Sequence, residues 1–177
     1  LNDSLEPRTW QKEALLMWSR DYVGVVRVVT GGGKTFFALF CIDEYLQRNN
    51  GSRVIIIVPT VALMDQWLIE LLEQTSLQDE DISLHGGGHK DKKFGKICLM
   101  IINTARTLAM EARSGQNTML VVDECHRAAT DENSKSIDIA PNATLGLSAT
   151  PEREYDSGFE EIISPILGEV IYNYDYI

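Results

Sequence analysis

Basic residues are scarce in this chain of 177 residues: 16 lysines and arginines stand against 26 aspartates and glutamates, for a formal net charge of −10. Such a surface repels a polyanion on average, so any contact with nucleic acid has to be local. Cysteine is scarcer still. Cys41, Cys98 and Cys125 are odd in number and scattered, which excludes a disulfide framework and offers no zinc-type pair. Three such thiols point to an intracellular, reducing compartment: the cytoplasm in a prokaryote, or the nucleus in a eukaryote. No apolar run approaches the roughly 20 residues that cross a bilayer, the longest being short stretches such as 54–58, so no membrane partner is expected. The first residues carry neither the basic end nor the apolar run of a secretory signal. Position 1 is Leu rather than Met, and the chain reads as a piece of a longer protein. His85 and His89 lack a Cys or carboxylate spacing that would make a metal site and are assigned to a loop.

What is present fits one domain spanning 1–177, with 44% hydrophobic and 24% charged residues. Short β-branched runs recur at 23–29, 53–58, 96–102, 119–122 and 144–147. Runs that are nearly all apolar mark strands buried on both faces. Helical spacing separates the first of them: Phe37, Leu39, Phe40, Ile42 and Leu46 lie on one side of 34–48, and Leu63, Trp67, Leu68, Leu71 and Leu72 on one side of 61–73, with Thr60 as N-cap. The alternation predicts an α/β fold with a mostly parallel central sheet and helices on both faces, and places any ligand at the carboxyl ends of the strands. Residues 86–90 read as a polar glycine-rich loop. Beyond Glu152 the pattern weakens to a short helix near 159–163 and an extended run, 170–177, that serves as an exit toward a further domain. Trp10, Trp18, Trp67 and the tail tyrosines Tyr172, Tyr174 and Tyr176 read as core or strand-face aromatics rather than base-stacking platforms.

Three segments carry chemistry, each directly after a predicted strand. Thr30, Gly31, Gly32, Gly33, Lys34 and Thr35 lie between a strand and a helix, the setting of a P-loop. Glycines let backbone amides close on phosphate oxygens, Lys34 reaches the β and γ phosphates, and Thr35 ligates magnesium. The bland alternative is a glycine turn before an ordinary helix. The pattern's first glycine, five residues before Gly33, is here Val28. The second segment is Asp123-Glu124-Cys125-His126, at the tip of the apolar strand 119–122. Two carboxylates at the end of a buried strand are costly unless they meet a positive charge; alone they read as a strand-end cap. With a P-loop upstream, Asp123 becomes the magnesium-side acid and Glu124 the group that orients or deprotonates water. Cys125 reads as a packed thiol rather than a nucleophile. The third is Ser148-Ala149-Thr150-Pro151, hydroxyl residues placed to couple the acidic pair to its neighbours, though by themselves they are ordinary turn formers.

In this order the three segments resemble the first RecA-like domain of superfamily 2 DExH helicases and translocases, over nearly the whole chain. The flanks of Asp123-Glu124-Cys125-His126-Arg127-Ala128 and of Leu145 to Arg153 are most similar to the type III restriction-enzyme and DNA-repair branch. The resemblance implies a P-loop ATPase using ATP and Mg2+, with Lys34, Asp123, Glu124 and His126 as catalytic residues and Ser148, Ala149 and Thr150 in coupling. It makes Arg8 and Gln11, three apart in Leu5-Glu6-Pro7-Arg8-Thr9-Trp10-Gln11, an adenine-recognition pair, with a solvated helix start as the alternative. It places a nucleic-acid backbone at Pro59 and Thr60 and at Thr104 and Arg106, where plain helix capping is the alternative. The DECH spelling is shared with Dicer and the cytosolic viral-RNA sensors, while the flanks favour DNA over RNA. A second RecA-like domain, absent from these residues, is expected to complete the ATP site, so that the fragment alone turns over slowly. The rival readings are a nucleotide-dependent scaffold and a P-loop ATPase that moves no nucleic acid.

Overall fold

Strands that are apolar at every position need cover above and below, and alternate residues along each strand supply two separate faces. In the computed structural model, which describes residues 1–91, 93–149 and 157–175, the elements are α1 (Thr9–Trp18), β1 (Val25–Val28), α2 (Lys34–Arg48), β2 (Arg53–Val58), α3 (Val61–Gln74), β3 (Ile82–Gly86), β4 (His89–Lys90), β5 (Ile97–Ile101), α4 (Ile102–Arg113), β6 (Thr118–Val122), β7 (Ala143–Ser148), α5 (Ser164–Leu167) and β8 (Val170–Tyr174). A turn of π-helix, Phe159–Ile163, leads into α5. The eight strands form one sheet in the order β4-β3-β5-β2-β6-β7-β1-β8. Every pairing is parallel except that of β3 with β4.

On one face Val54, Ile56 and Val58 pack with Trp18, Phe37 and Trp67 from α1, α2 and α3. On the other, Ile55 and Ile57 meet Ala105, Ala109 and Ala112 of α4, together with Phe159 and Ile163. The expected helices on both faces of a mostly parallel sheet are therefore present. Among the described residues no helix is long and apolar enough to cross a membrane.

Three segments differ from the expected pattern in conformation or in pairing. Residues 86–90 are not a free loop: β3 and β4 form an antiparallel hairpin in which His85 pairs with Lys90. His85 is buried on β3 with its Nε2 2.8 Å from the Ser83 hydroxyl, and burial holds its pKa below the ordinary histidine value. A polar strand residue is tolerated there because its neighbour satisfies it. Helix α4, absent from the expected elements, buries Ile102 and otherwise a face of alanines, Ala105, Ala109 and Ala112. Residues 170–174, expected as an exit, form β8 at the sheet edge beside β1.

Candidate functional site

Because the central strands are parallel, their carboxyl ends lie along one edge of the sheet, and the segments that follow them are brought together there. After β1 comes the glycine loop, after β2 Pro59 and Thr60, after β3 Gly86 to Gly88, after β6 Asp123 and Glu124, and Ser148 closes β7.

The loop after β1 turns through left-handed glycines, Gly31 at φ 78° and Gly33 at φ 94°, a region that residues with a Cβ enter only at a cost. Gly33 is the N-cap of α2, with no side-chain cap and no acidic residue in the first turn. Lys34 and Thr35 open that helix, where unpaired amides and the helix dipole favour an anion. Val28, where the P-loop pattern has glycine, is accommodated by Gly32: a Cβ on Gly32 would stand 2.5 Å from Val28 Cγ1, 2.9 Å from the Val29 carbonyl oxygen and 3.3 Å from Tyr174 Cδ1. Gly32→Ala will therefore overpack the loop, costing roughly 1–3 kcal/mol, and thermal unfolding will show a lowered Tm. Val28→Ala in the same chain will restore only part of the loss, since the Val29 carbonyl stays in the way.

Arg8 and Gln11 both reach this loop. The Arg8 guanidinium donates to the Gly32 carbonyl (3.3 Å) and the Gln11 amide to the Gly33 carbonyl (3.0 Å), while Gln11 Oε1 accepts from the Arg8 backbone N–H (2.8 Å). The pair thus sits beside the glycine loop from the start of α1. Trp10 between them is core, as expected, stacked on Tyr174 with ring centroids 4.9 Å apart. Trp18 and Trp67 are buried as well, and Tyr176 lies outside the described residues.

Lys34 crosses from the loop to the acidic pair. Its Nζ lies 3.2 Å from Asp123 Oδ1 and forms a hydrogen-bonded ion pair with Glu124 Oε1. Burial by itself would lower the lysine pKa, but the charges and hydrogen bonds of Asp123 and Glu124 outweigh it and hold the ammonium above its ordinary value. Asp123 is 3% exposed. Its backbone N–H donates to the Ile57 carbonyl at 2.9 Å, fixing the end of β6 on β2, and its Oδ1 accepts the Glu124 N–H at 2.9 Å. Glu124 is held at φ 49°, ψ 52°, a left-handed conformation that costs a non-glycine residue about 1 kcal/mol or more and that clusters at functional positions. The bend aims two adjacent carboxylates at one cation. A magnesium ion bound to a nucleotide fits the same donors: one carboxylate and one hydroxyl suffice when phosphates and waters complete the shell. Among the described residues no cluster of three or more His, Cys, Asp or Glu could hold a metal ion.

Cys125 is fully buried, and burial, then Glu124 and Asp123, push its thiol up to about 12; it is packing, not a nucleophile. His126 Nδ1 lies 3.7 Å from Glu124 Oε2 and 3.4 Å from the Ser148 hydroxyl, so the acidic pair and the end of β7 meet through this ring. Ala149 follows at the strand end. Thr150, Pro151, Glu152 and Arg153 lie outside the described residues.

A second group lies at the ends of β2, β3 and β5. Thr60 caps α3 by accepting the Leu63 N–H at 3.2 Å, with Pro59 just before it. Thr104 sits in the first turn of α4. Gly86 and Gly87, which the sequence reading gave no role, wedge between the two helix starts: a Cβ on Gly86 would be 2.7 Å from Thr104 Oγ1, and one on Gly87 2.9 Å from Val61 Cγ2. Their signal in the sequence is the run of three glycines, whose meaning needs the two helices to be seen. Arg106 lies partly exposed along the surface: its guanidinium is hydrogen-bonded to Asn133 Oδ1 and lies 3.9 Å from Glu132. Asn133 in turn donates to the Arg127 carbonyl at 2.8 Å. Arg106 thereby ties α4 to the segment that follows His126. Trp67 is core, and its indole N–H also reaches Asp123.

Residues 4–153 match the family of the type III restriction enzyme, res subunit. The chain belongs to that family. It is 31% identical over 172 residues to a putative DNA 3'-5' helicase Rad25 of Haloarcula marismortui, covering 94% of this chain and 26% of that protein. It is 30% identical over 173 residues to the DNA 3'-5' translocase XPB2 of Sulfurisphaera tokodaii, covering 97% and 36%. The chain thus spans about a quarter to a third of the length of those relatives. The UvsW helicase of bacteriophage T4 has the same fold, with a TM-score of 0.78 at 22% identity over 97% of this chain and 61% of that one. The fold is the RecA-like α/β fold of superfamily 2 helicases.

Proposed function

We propose that this domain is the ATP-binding half of a DNA-directed, ATP-dependent helicase or translocase. The observation that carries the reading is Lys34: from the uncapped start of α2 it neutralises both Asp123 and Glu124, so the phosphate loop and the acidic pair already share one cation. With ATP at the loop, Lys34 would turn to its phosphates, and Asp123 and Thr35 would hold Mg2+. The metal supplies charge neutralisation at the transferring phosphoryl group. Glu124, released from the ammonium, accepts the proton of the attacking water. Arg8 and Gln11 face the adenine, and His126 with Ser148, Ala149 and Thr150 carries the state of the acidic pair to the strand ends. Pro59 ends β2 so that the start of α3 can offer its amides, and Thr60 and Thr104 their hydroxyls, to a sugar-phosphate backbone, neutral contacts that a chain of net charge −10 can make. Arg106 contributes by holding α4 to the segment after His126.

The names of the two relatives favour DNA as the polymer. Their greater length supports a second RecA-like domain in the full-length protein, closing over the phosphates and bringing arginines worth roughly 10³ to 10⁵ in rate. ATP hydrolysis by the full-length protein, measured with double-stranded DNA, single-stranded DNA and RNA, will be stimulated by DNA well beyond its basal rate and less by RNA. Identical rates with and without each polymer would leave an ATPase that moves no nucleic acid.

A further inference from the structure

Trp67 is among the largest fully buried side chains, 1% exposed, and by size alone is core. A core site in the middle of α3 could be filled by an aliphatic or phenyl side chain with no polar atom to satisfy; tryptophan brings an N–H that needs a partner in a dry interior. That partner is Asp123 Oδ2, at 2.9 Å. The buried indole of Trp18 makes a bond of the same kind and length class to the Thr144 carbonyl, at 2.8 Å, far in sequence from any phosphate or metal residue. Trp67 alone among the three tryptophans bonds to the acidic pair.

The bond decides which oxygen of Asp123 faces a cation. Oδ2 is held by the indole, while Oδ1 takes the Glu124 N–H and the Lys34 ammonium. When Lys34 leaves for the phosphates, Oδ1 is the oxygen left facing the loop, with the carboxylate plane already set. Trp67 also lies seven residues after Thr60, about 10 Å along α3, so the helix that starts at the proposed strand contact has a direct hydrogen bond to the metal-side carboxylate.

We propose that Trp67 is a positioning residue: it presents Asp123 Oδ1 to the nucleotide-bound magnesium and links that presentation to the strand-facing end of α3. The proposal rests on the reading of Asp123 as the magnesium-side acid. Trp67→Phe keeps most of the packing and removes the N–H. In the full-length protein at saturating ATP, this variant will need about tenfold more Mg2+ for half-maximal hydrolysis, the lower end of what losing an outer-sphere partner costs in metal affinity, and its stimulation by duplex DNA will fall. Trp18→Phe, which loses an equally buried indole bond, will lower Tm but leave the Mg2+ requirement unchanged. Equal Mg2+ requirements in both variants and the wild type would overturn the proposal. A raised requirement with full DNA stimulation would keep the positioning role and overturn the link to α3. Asp123→Asn separates the two levels: if it hydrolyses ATP with the wild-type Mg2+ dependence, the magnesium reading itself fails, whereas if it is inactive and Trp67→Phe is unaltered, only the role of Trp67 fails. A readout that needs no variant is the tryptophan emission of the wild-type protein at saturating ADP. It will change as Mg2+ is titrated in, and a constant emission would count against the proposal.

Discussion

Glu124→Gln will lower the DNA-stimulated kcat of the full-length protein by roughly 10² to 10⁴, the contribution of a positioned general base, while the KM for ATP changes little. The substitution keeps the size of the side chain and its hydrogen-bonding capacity toward Lys34 but removes the basicity that takes a proton from water. Asp123 stays charged, so Mg2+ and nucleotide are still held. The left-handed backbone at φ 49° is as accessible to Gln as to Glu, so Tm will stay close to the wild-type value. Steady-state hydrolysis together with nucleotide binding by filter retention checks both halves. Unchanged kcat would support a scaffold that has the fold and uses no hydrolytic cycle.

Lys34→Met will act on turnover and on stability at once. Loss of the ammonium removes a donor from the developing charge on the phosphates, costing roughly 10² to 10³ in kcat by analogy with other transition-state donors, and ATP affinity will fall with it. Without nucleotide the same change leaves Asp123, 3% exposed, beside Glu124 with their shared cation gone. Breaking a fully buried pair costs roughly 3–5 kcal/mol. Lys34 and Glu124 side chains are 18% and 21% exposed, so solvent screening brings the expected loss down to about 1–3 kcal/mol. Lys34→Met with Asp123→Asn will recover part of that loss, because the second change removes the stranded charge. The sign of the pH dependence follows from the raised lysine pKa: the stabilisation is fully present below the unfolded lysine value and is lost as pH rises through the folded one. The gap in Tm between wild type and Lys34→Met will therefore persist across neutral pH and close only in strongly alkaline solution. A gap that is absent at pH 7 would mean that the ion pair contributes nothing to the fold.

Local patterning made much of the fold legible. Helix α2 begins and ends where its apolar spacing says, because a glycine loop precedes it and Asn49 follows, and Thr60 caps α3 through the bond its side chain can make at that position. The buried central strands show as apolar runs because both faces are covered. What stayed hidden has an equally physical cause. α4 packs through alanines, β3 carries Ser83 and His85 that satisfy one another, and the extended run that forms β8 does not show its pairing with β1, because it is an edge strand of mixed residues with intermediate exposure at most positions. Each has a defined place in the fold that its own residues do not specify.

The sequence by itself determined the chemistry on offer: glycines able to turn a loop left-handed, a lysine and a hydroxyl opening a helix, and two carboxylates ending an apolar strand. Those follow from residue type and neighbours within a few positions. Only the tertiary structure decided how they are used. Parallel pairing sets β1 and β6 with their ends on one edge, which lets Lys34 reach residues about ninety positions away. The same packing fits Val28 beneath Gly32, turns Arg106 onto Asn133 and gives Asp123 an indole donor from α3. Most of those contacts join residues far apart in the chain, and no local propensity specifies them; they exist because burying both faces of the sheet brings these segments together and leaves their polar atoms to pair with one another.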